Sequence, residues 1–316
     1  MKRRELLKVI GSTVIAGVAL PAGILLGQSA NALNATDSAG SILSASSSIF
    51  PDVVWVENGE PEQLLAAALK EMGGMSRFVS KGDVVVVKPN IGWDRSPEQA
   101  ANTNPKLIAE IVKEVLKAGA KKVKVFDRTC NNPRRCYENS GIRQSAEDAG
   151  AEVTNTDDSR FVKVELKKGE ILKEWSIYKD YLEADKVINV PIAKNHGLST
   201  VTLGLKNLMG VMGGQRGEIH SPFNKLIDIV EEILPTLTII DAYRVLMKNG
   251  PQGGELNDVK LAKTLLMSPC TLAADMSALP LFELPADKKI EYLQKAAERG
   301  LNKIDLKSIN LKKVVL

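Results

Sequence analysis

The sequence predicts an α/β protein: a mostly parallel layered sheet with helices on both faces and a small β-rich insertion. Three observations carry this. Residues 83–88 (D-V-V-V-V-K) and 186–190 (K-V-I-N-V) are short continuous apolar runs, as required of strands buried on both faces. Between the first run and residues 122–126, Leu107, Ile108, Ile111, Val112, Val115 and Leu116 fall on one helical stripe. Strand and helix signals then alternate along the chain without an internal repeat.

Taken in order, residues 53–56 form a first strand, and 61–72 a helix with Pro61 at its first position and Gly73-Gly74 ending it. The 83–88 strand is broken by Pro89 and Asn90. Thr103-Asn104-Pro105 starts the striped helix and Gly119 closes it. Residues 122–126 are the next strand, so this unit is a strand–helix–strand crossover with parallel neighbours. A helix over 141–149 and a short strand over 152–155 follow. Residues 160–182 alternate β-prone runs with charge and form the insertion. After the 186–190 strand, the glycine-rich stretch 197–214 reads as a helix with loops at both ends. Ser221-Pro222 opens a helix to 234, residues 236–240 form a strand ending at Asp241, and 250–254 form a loop. A strand over 262–267 and helices over 273–281 and 288–299 complete the series.

The 316 residues are 44% apolar and 25% charged, a globular composition that excludes a disordered chain or a polytopic membrane protein. The N-terminal 32 residues carry +3 of the net +4, which removes the argument for nucleic-acid binding. Those residues read as an export signal: basic K-R-R-E-L-L-K with the pair Arg3-Arg4, a glycine-diluted apolar stretch, and an A-x-A site at Ala30 and Ala32. The paired arginines mark the twin-arginine variety. The expected organisation is a signal peptide over 1–32, a Ser/Ala-rich flexible linker over 33–50 and one α/β domain over 51–316. The product is periplasmic or otherwise extracytoplasmic, exported folded by the twin-arginine machinery. Because the apolar stretch falls short of the roughly 20 residues of a spanning helix, no stable membrane anchor is expected after cleavage.

Ligands of open parallel sheets bind beyond the carboxyl ends of the strands. The polar residues at those positions are Lys88 and Asn90, Asp127, Lys194 and His196, and Asp241. The two histidines of the chain, His196 and His220, bracket the glycine-rich stretch that also holds Lys206 and Asn207. Histidine supplies acid–base chemistry near neutrality or a metal nitrogen. The expected catalytic set is Lys194, His196, Lys206, His220, Asp127 and Asp241. Lys88, Asn90, Asn207, Gly253 and Gly254 are expected to bind ligand or cofactor, and His196, His220 and Asp241 are the candidate metal ligands. Lys88, Asp127, Lys194, His196, Lys206 and Asp241 are expected to converge on one cleft at the carboxyl edge of the sheet, with His220 arriving from the loop after the glycine-rich stretch.

Cys130 and Cys136 lie in T-C-N-N-P-R-R-C-Y, and in an exported chain a disulfide ranks ahead of free thiols and of metal ligation. Three cysteines cannot provide the four thiolates of an iron–sulfur cluster. No G-K-[ST] loop, G-x-G-x-x-G fingerprint or G-x-S-x-G elbow is present.

The ordered motifs D-V-V-V-V-K-P-N, T-N-P, P-I-A-K-N-H-G-L, T-L-G-L-K-N-L-M-G, I-I-D-A and N-G-P-Q-G-G resemble domain-of-unknown-function family 362, from about residue 51 to 281. The family aspartate in S-P-C-T-L-A-A-D is replaced by Cys270, while Asp275 remains. The ferredoxin-type cysteine motifs of some relatives are missing here. A fainter resemblance of layout is to the lactate racemases, which use lysine and histidines around a nickel-bearing nucleotide. The expected function is an exported enzyme binding a small anionic substrate, or a metal or organic cofactor, in a Lys/His/Asp cleft. The alternatives are a non-catalytic periplasmic ligand- or cofactor-binding protein and a redox accessory protein using Cys130 and Cys136.

The export reading predicts that replacing Arg3 and Arg4 together with lysine leaves precursor in the cytoplasm. Cell fractionation checks this, and normal export of the double variant overturns it.

Overall fold

The structure is a computed structural model and describes residues 49–285, 287–301 and 305–316. The expected signal segment, and the expected linker up to residue 48, lie outside the described residues. No helix among the described residues is long and apolar enough to cross a membrane.

The chain opens with β1 (Val53–Glu57) and helix α1 (Pro61–Glu71), then β2 (Val84–Pro89), α2 (Pro105–Lys117) and β3 (Lys122–Val125). Helices α3 (Pro133–Asn139) and α4 (Ile142–Asp148) lead to β4 (Glu152–Val153). Strands β5 (Phe161–Glu165) and β6 (Glu174–Tyr178) form the expected insertion as a separate two-stranded antiparallel sheet. After α5 (Lys179–Glu183) come β7 (Lys186–Val190), β8 (Ile192–His196), β9 (Thr200–Thr202) and the short α6 (Gly204–Asn207). Helix α7 (Asn224–Val230), β10 (Leu237–Leu246), β11 (Val259–Ser268), α8 (Thr271–Ala278), α9 (Glu291–Glu298) and β12 (Leu311–Val315) complete the fold.

Ten strands form the main sheet in the order β12-β1-β11-β10-β7-β2-β3-β4, with β8 on β10 and β9 on β8. The β10-β7-β2-β3-β4 side is parallel throughout. Strand β11 runs against both of its neighbours. Alternation along β2 divides the core: Val86 belongs to one buried cluster and Val85 and Val87 to the other. Leu64, Leu107, Ile111 and Ile142 cover the second face, while Leu226, Leu272 and Leu293 cover the first. Helices thus lie on both faces, as the valine-rich strands require.

Several expected boundaries shift for physical reasons. Helix α3 forms over residues to which no element was assigned: the Asn132 side chain accepts from the Arg135 N–H, with Pro133 at the first helical position. The stretch 197–214 is not one helix. It holds β9, α6 and a 3-10 turn over Leu208–Val211. The helix expected from Ser221 begins at Asn224, and β10 runs well past Asp241. Strand β12 was not anticipated and pairs in parallel with β1.

The start of α6 is fixed from a distance. The fully buried Asp275 accepts from the N–H groups of Gly204 and Leu205, at 2.6 and 2.9 Å. A Cβ on Gly204 would lie 2.7 Å from Asp275 Oδ1 and 2.6 Å from Thr271 Cγ2, so only glycine fits. Replacing Asp275 with alanine strands two buried donors. A loss of about 2–4 kcal/mol in urea unfolding is expected; a loss below about 1 kcal/mol would refute this anchoring role.

Candidate functional site

The carboxyl ends of β2, β3 and β8, together with the segment 204–220, enclose a cavity of about 680 Å³. Lys88, Asn90, Asp127, Lys194, His196, Lys206, Asn207 and His220 all line it. Five of them converge because neighbouring strands of the sheet end on the same side, and the segment 204–220 brings Lys206, Asn207 and His220 over that edge.

The floor is an ion pair. Lys88 Nζ lies 2.9 Å from Asp127 Oδ1, and both side chains are almost completely shielded from solvent. The same Nζ donates to Pro89 O (2.8 Å) and Asn207 Oδ1 (3.1 Å), and Asp127 Oδ2 accepts from the Ile91 N–H (2.6 Å). Burial pulls the Lys88 pKa down, opposed by the Asp127 charge. Asn207 is the junction above this floor. Its Oδ1 also accepts from Asn90 Nδ2 (3.0 Å), and its Nδ2 donates to Asn189 Oδ1 (2.9 Å). Asn189, buried within β7, is a component that sequence reading missed; the signal was an amide inside an otherwise apolar strand.

Lys194 and His196 do not follow β7 directly, as expected. Pro191 separates them onto β8, which runs beside the outer half of β10. Lys194 Nζ donates to Ala101 O (2.6 Å) and Asn90 Oδ1 (3.1 Å), with no carboxylate partner, and burial lowers its pKa to about 7. His196 Nδ1 accepts from the N–H groups of Leu198 and Ser199, at 3.1 and 3.3 Å. Burial, then the Lys206 and His220 charges, lowers its pKa to about 3, so the ring is neutral across the physiological range.

Lys206 is contributed by α6 and is 6% exposed. Its Nζ lies 2.8 Å from His220 Nε2 and 2.9 Å from Met209 Sδ. Burial, then the Lys194 charge, lowers its pKa to about 7. His220 Nδ1 lies 3.2 Å from Gly217 O. Donation to that carbonyl leaves Nε2 unprotonated toward Lys206, and burial and the Lys206 charge hold the His220 pKa low. The rings of His196 and His220 are 5.6 Å apart. Arg128, which follows Asp127 beyond the 122–126 strand, and Arg216, which was not anticipated, complete a cationic wall. Arg216 donates to the carbonyls of Arg128 and Thr129, each at 2.8 Å.

Three expectations fail. Asp241 lies within β10 rather than at its end and does not reach the cavity. Its carboxylate accepts from the N–H groups of Asn104 (2.7 Å) and Tyr243 (3.1 Å), anchoring the start of α2. Burial raises its pKa to about 6. The expected metal set of His196, His220 and Asp241 is therefore not assembled, and no group of three or more His, Cys, Asp or Glu able to hold a metal occurs among the described residues. Gly253 and Gly254 turn away as well. Their carbonyls accept from Arg95 Nη2 (3.3 Å) and Gln99 Nε2 (2.7 Å), and their loop supplies Pro251 instead. Finally, Cys130 and Cys136 are free thiols. Both approach Gly92 O, Cys130 through its N–H at 2.8 Å and Cys136 through Sγ at 3.7 Å. The Cys136 side chain is directed into the core from α3, whereas Cys130 sits on the cavity rim.

Fold and site together define an α/β protein whose parallel sheet carries a cationic, histidine-bearing cavity at its carboxyl edge. Residues 85–279 match the family Domain of unknown function (DUF362), and the chain belongs to that family. The thylakoid-associated protein sll1697 of Synechocystis is 28% identical over 229 residues, covering 70% of this chain and 69% of that protein. Among solved structures, the lactate racemase apoprotein of Thermoanaerobacterium thermosaccharolyticum aligns with a TM-score of 0.44 and 14% identity over 67% of this chain. A Thermotoga maritima protein aligns with a TM-score of 0.44 and 13% identity over 71%. The chain spans 53% and 59% of the lengths of those two structures.

Gly210 lies directly over the ion pair: a Cβ there would fall 1.7 Å from Asp127 Oδ1 and 2.5 Å from Lys88 Nζ. Gly210→Ala is expected to cost about 2–4 kcal/mol in urea unfolding, by forcing a buried pair apart. The control is Gly217→Ala, whose Cβ meets nothing within 4 Å and which should stay within about 0.5 kcal/mol of the parent. Equal effects of the two substitutions would refute the close approach.

Proposed function

We propose that the protein is an exported enzyme that binds a small anionic substrate, of the carboxylate or phosphate class, in this cavity. One observation carries the reading: five cationic side chains line the cavity, and the only carboxylate among the lining residues, Asp127, is already committed to Lys88. Lys194 and Lys206 are buried and Arg128 and Arg216 partly buried, so positive charge on this wall is costly until an anion compensates it, and the two lysine pKa values are lowered accordingly. Lys194, Arg128 and Arg216 hold the anion. His196 and His220, both neutral, exchange protons with it. Export through the twin-arginine machinery is part of the same proposal and rests on Arg3-Arg4 and the A-x-A site. A metal is assigned no role, because the histidine pair has no third ligand of the usual kind among the described residues.

The pH dependence follows from Lys194. In the free protein its pKa is about 7, so above neutrality the amine is mostly uncharged. A bound anion favours the ammonium and raises that pKa, so binding takes up a proton. Affinity should therefore fall as pH rises from 7 to 9, by about tenfold or more. Titration calorimetry with oxalate and with inorganic pyrophosphate, in buffers of different ionisation enthalpy, measures both the affinity and the proton uptake and separates the two anion classes. Lys194→Met, which keeps the volume and removes the charge, should weaken binding about tenfold or more. Absence of binding by both anions, or affinity independent of pH, overturns the proposal.

A further inference from the structure

We propose that Lys206 is the nucleophilic amine of this cavity and forms a Schiff base with a small carbonyl compound that carries an acid group, such as an α-oxo acid. This inference rests on the anion-binding reading above and names the substrate class within it.

The three cavity lysines are chemically distinct because their partners differ. Lys88 is held as an ammonium by Asp127 and two oxygen acceptors. Lys194 donates to two oxygens, a carbonyl and an amide, an arrangement that engages N–H bonds and suits a cation-holding role. Lys206 has neither a carboxylate nor an oxygen acceptor as a side-chain partner. Its neighbours are the thioether of Met209 and the unprotonated Nε2 of His220. A neutral amine satisfies both with its two N–H bonds and keeps its lone pair free. Desolvation and the nearby Lys194 charge keep much of Lys206 in that neutral form near neutral pH.

The neighbouring imidazole supplies the proton handling that imine formation needs. The Lys206 lone pair attacks the carbonyl carbon, forming the C–N bond while the C=O π pair moves to oxygen. His220 Nε2, 2.8 Å from Nζ, takes a proton from the attacking nitrogen. The alkoxide takes a proton from solvent water to give the carbinolamine. His220 then returns its proton to that hydroxyl, the C–O bond breaks, and water leaves as the C=N bond forms. One amine, one carbonyl and one proton from solvent yield one protonated imine and one water, with no oxidant or reductant. His220 Nδ1–H, donating to Gly217 O, orients the ring for this exchange. Lys194 remains a cation for the acid group of the substrate.

The test is reductive trapping of the full protein with glyoxylate and cyanoborohydride near pH 7.5, followed by peptide mapping of carboxymethylated lysines. Lys206 should be labelled first, at least about tenfold faster than the exposed Lys117, because an ordinary lysine is almost wholly protonated at that pH. Oxalate, an anion without a reactive carbonyl, should slow this labelling. His220→Asn should slow it with Lys206 intact. Lys206→Arg should abolish it with the far-ultraviolet circular dichroism unchanged; the parent protein already provides a readout if that variant does not fold. Labelling of Lys206 no faster than Lys117, with oxalate binding intact, overturns the nucleophile and leaves the anion site standing. Preferential labelling of Lys194 overturns the division of roles. Failure of oxalate and pyrophosphate to bind, together with unselective labelling, overturns both proposals.

Discussion

The buried Lys88–Asp127 pair is the constraint on which the rest of the site depends. Two ions removed from water lose hydration worth several kcal/mol each, and the loss is offset only when every remaining donor and acceptor finds a partner. Here they do. Lys88 adds a carbonyl and an amide oxygen, and Asp127 adds a backbone N–H. These bonds tie the ends of β2 and β3 to the segment carrying Asn207. They also leave no room above the carboxylate for a side chain, so position 210 is glycine. With Asp127 consumed in this way, the cationic groups higher in the cavity are left without a protein counter-charge.

Two further buried carboxylates work outside the cavity but decide its shape. Asp241 accepts from the N–H of Asn104, the residue that caps α2, and Asp275 from the first two N–H groups of α6. Helix starts present unpaired donors, and a buried carboxylate satisfies them more strongly than a neutral acceptor does. Burial nevertheless opposes ionisation and raises the Asp275 pKa to about 7. Because α6 carries both Lys206 and Asn207, the Asp275 contact sets where the reactive amine and the amide junction sit. A carboxylate can thus matter to a site without touching ligand.

The errors of the sequence reading share one physical origin. Asp241 resembled a strand-end residue because its apolar run stops there. Yet β10 continues, since its outer half pairs with β8 and β11, and those partners come from elsewhere in the chain. The short spacing of Cys130 and Cys136 suggested a disulfide, but Asn132 and Pro133 start a helix between them that turns Cys136 into the core. Gly253 and Gly254 looked available to a ligand because glycine permits close approach. The group that approaches them is the protein's own Arg95 and Gln99.

The sequence by itself determined the layered α/β class, the parallel crossover of β2, α2 and β3, the small antiparallel insertion and the family. Each of these is written in local periodicity, in cap residues or in ordered motifs. It also identified eight of the residues that meet in the cavity: five because strand-end positions of a parallel sheet share one edge whatever their separation along the chain, and Lys206, Asn207 and His220 because the two histidines bracket the glycine-rich stretch. Only the tertiary structure decided which charged groups stay free. Lys88, Lys194 and Lys206 are alike as letters, and Asp127, Asp241 and Asp275 are alike as letters. Their roles differ through burial and through partners that, for Lys88, Lys194, Asp241 and Asp275, include one more than seventy residues away. Desolvation and hydrogen bonding act through space, so no local pattern in the chain records them.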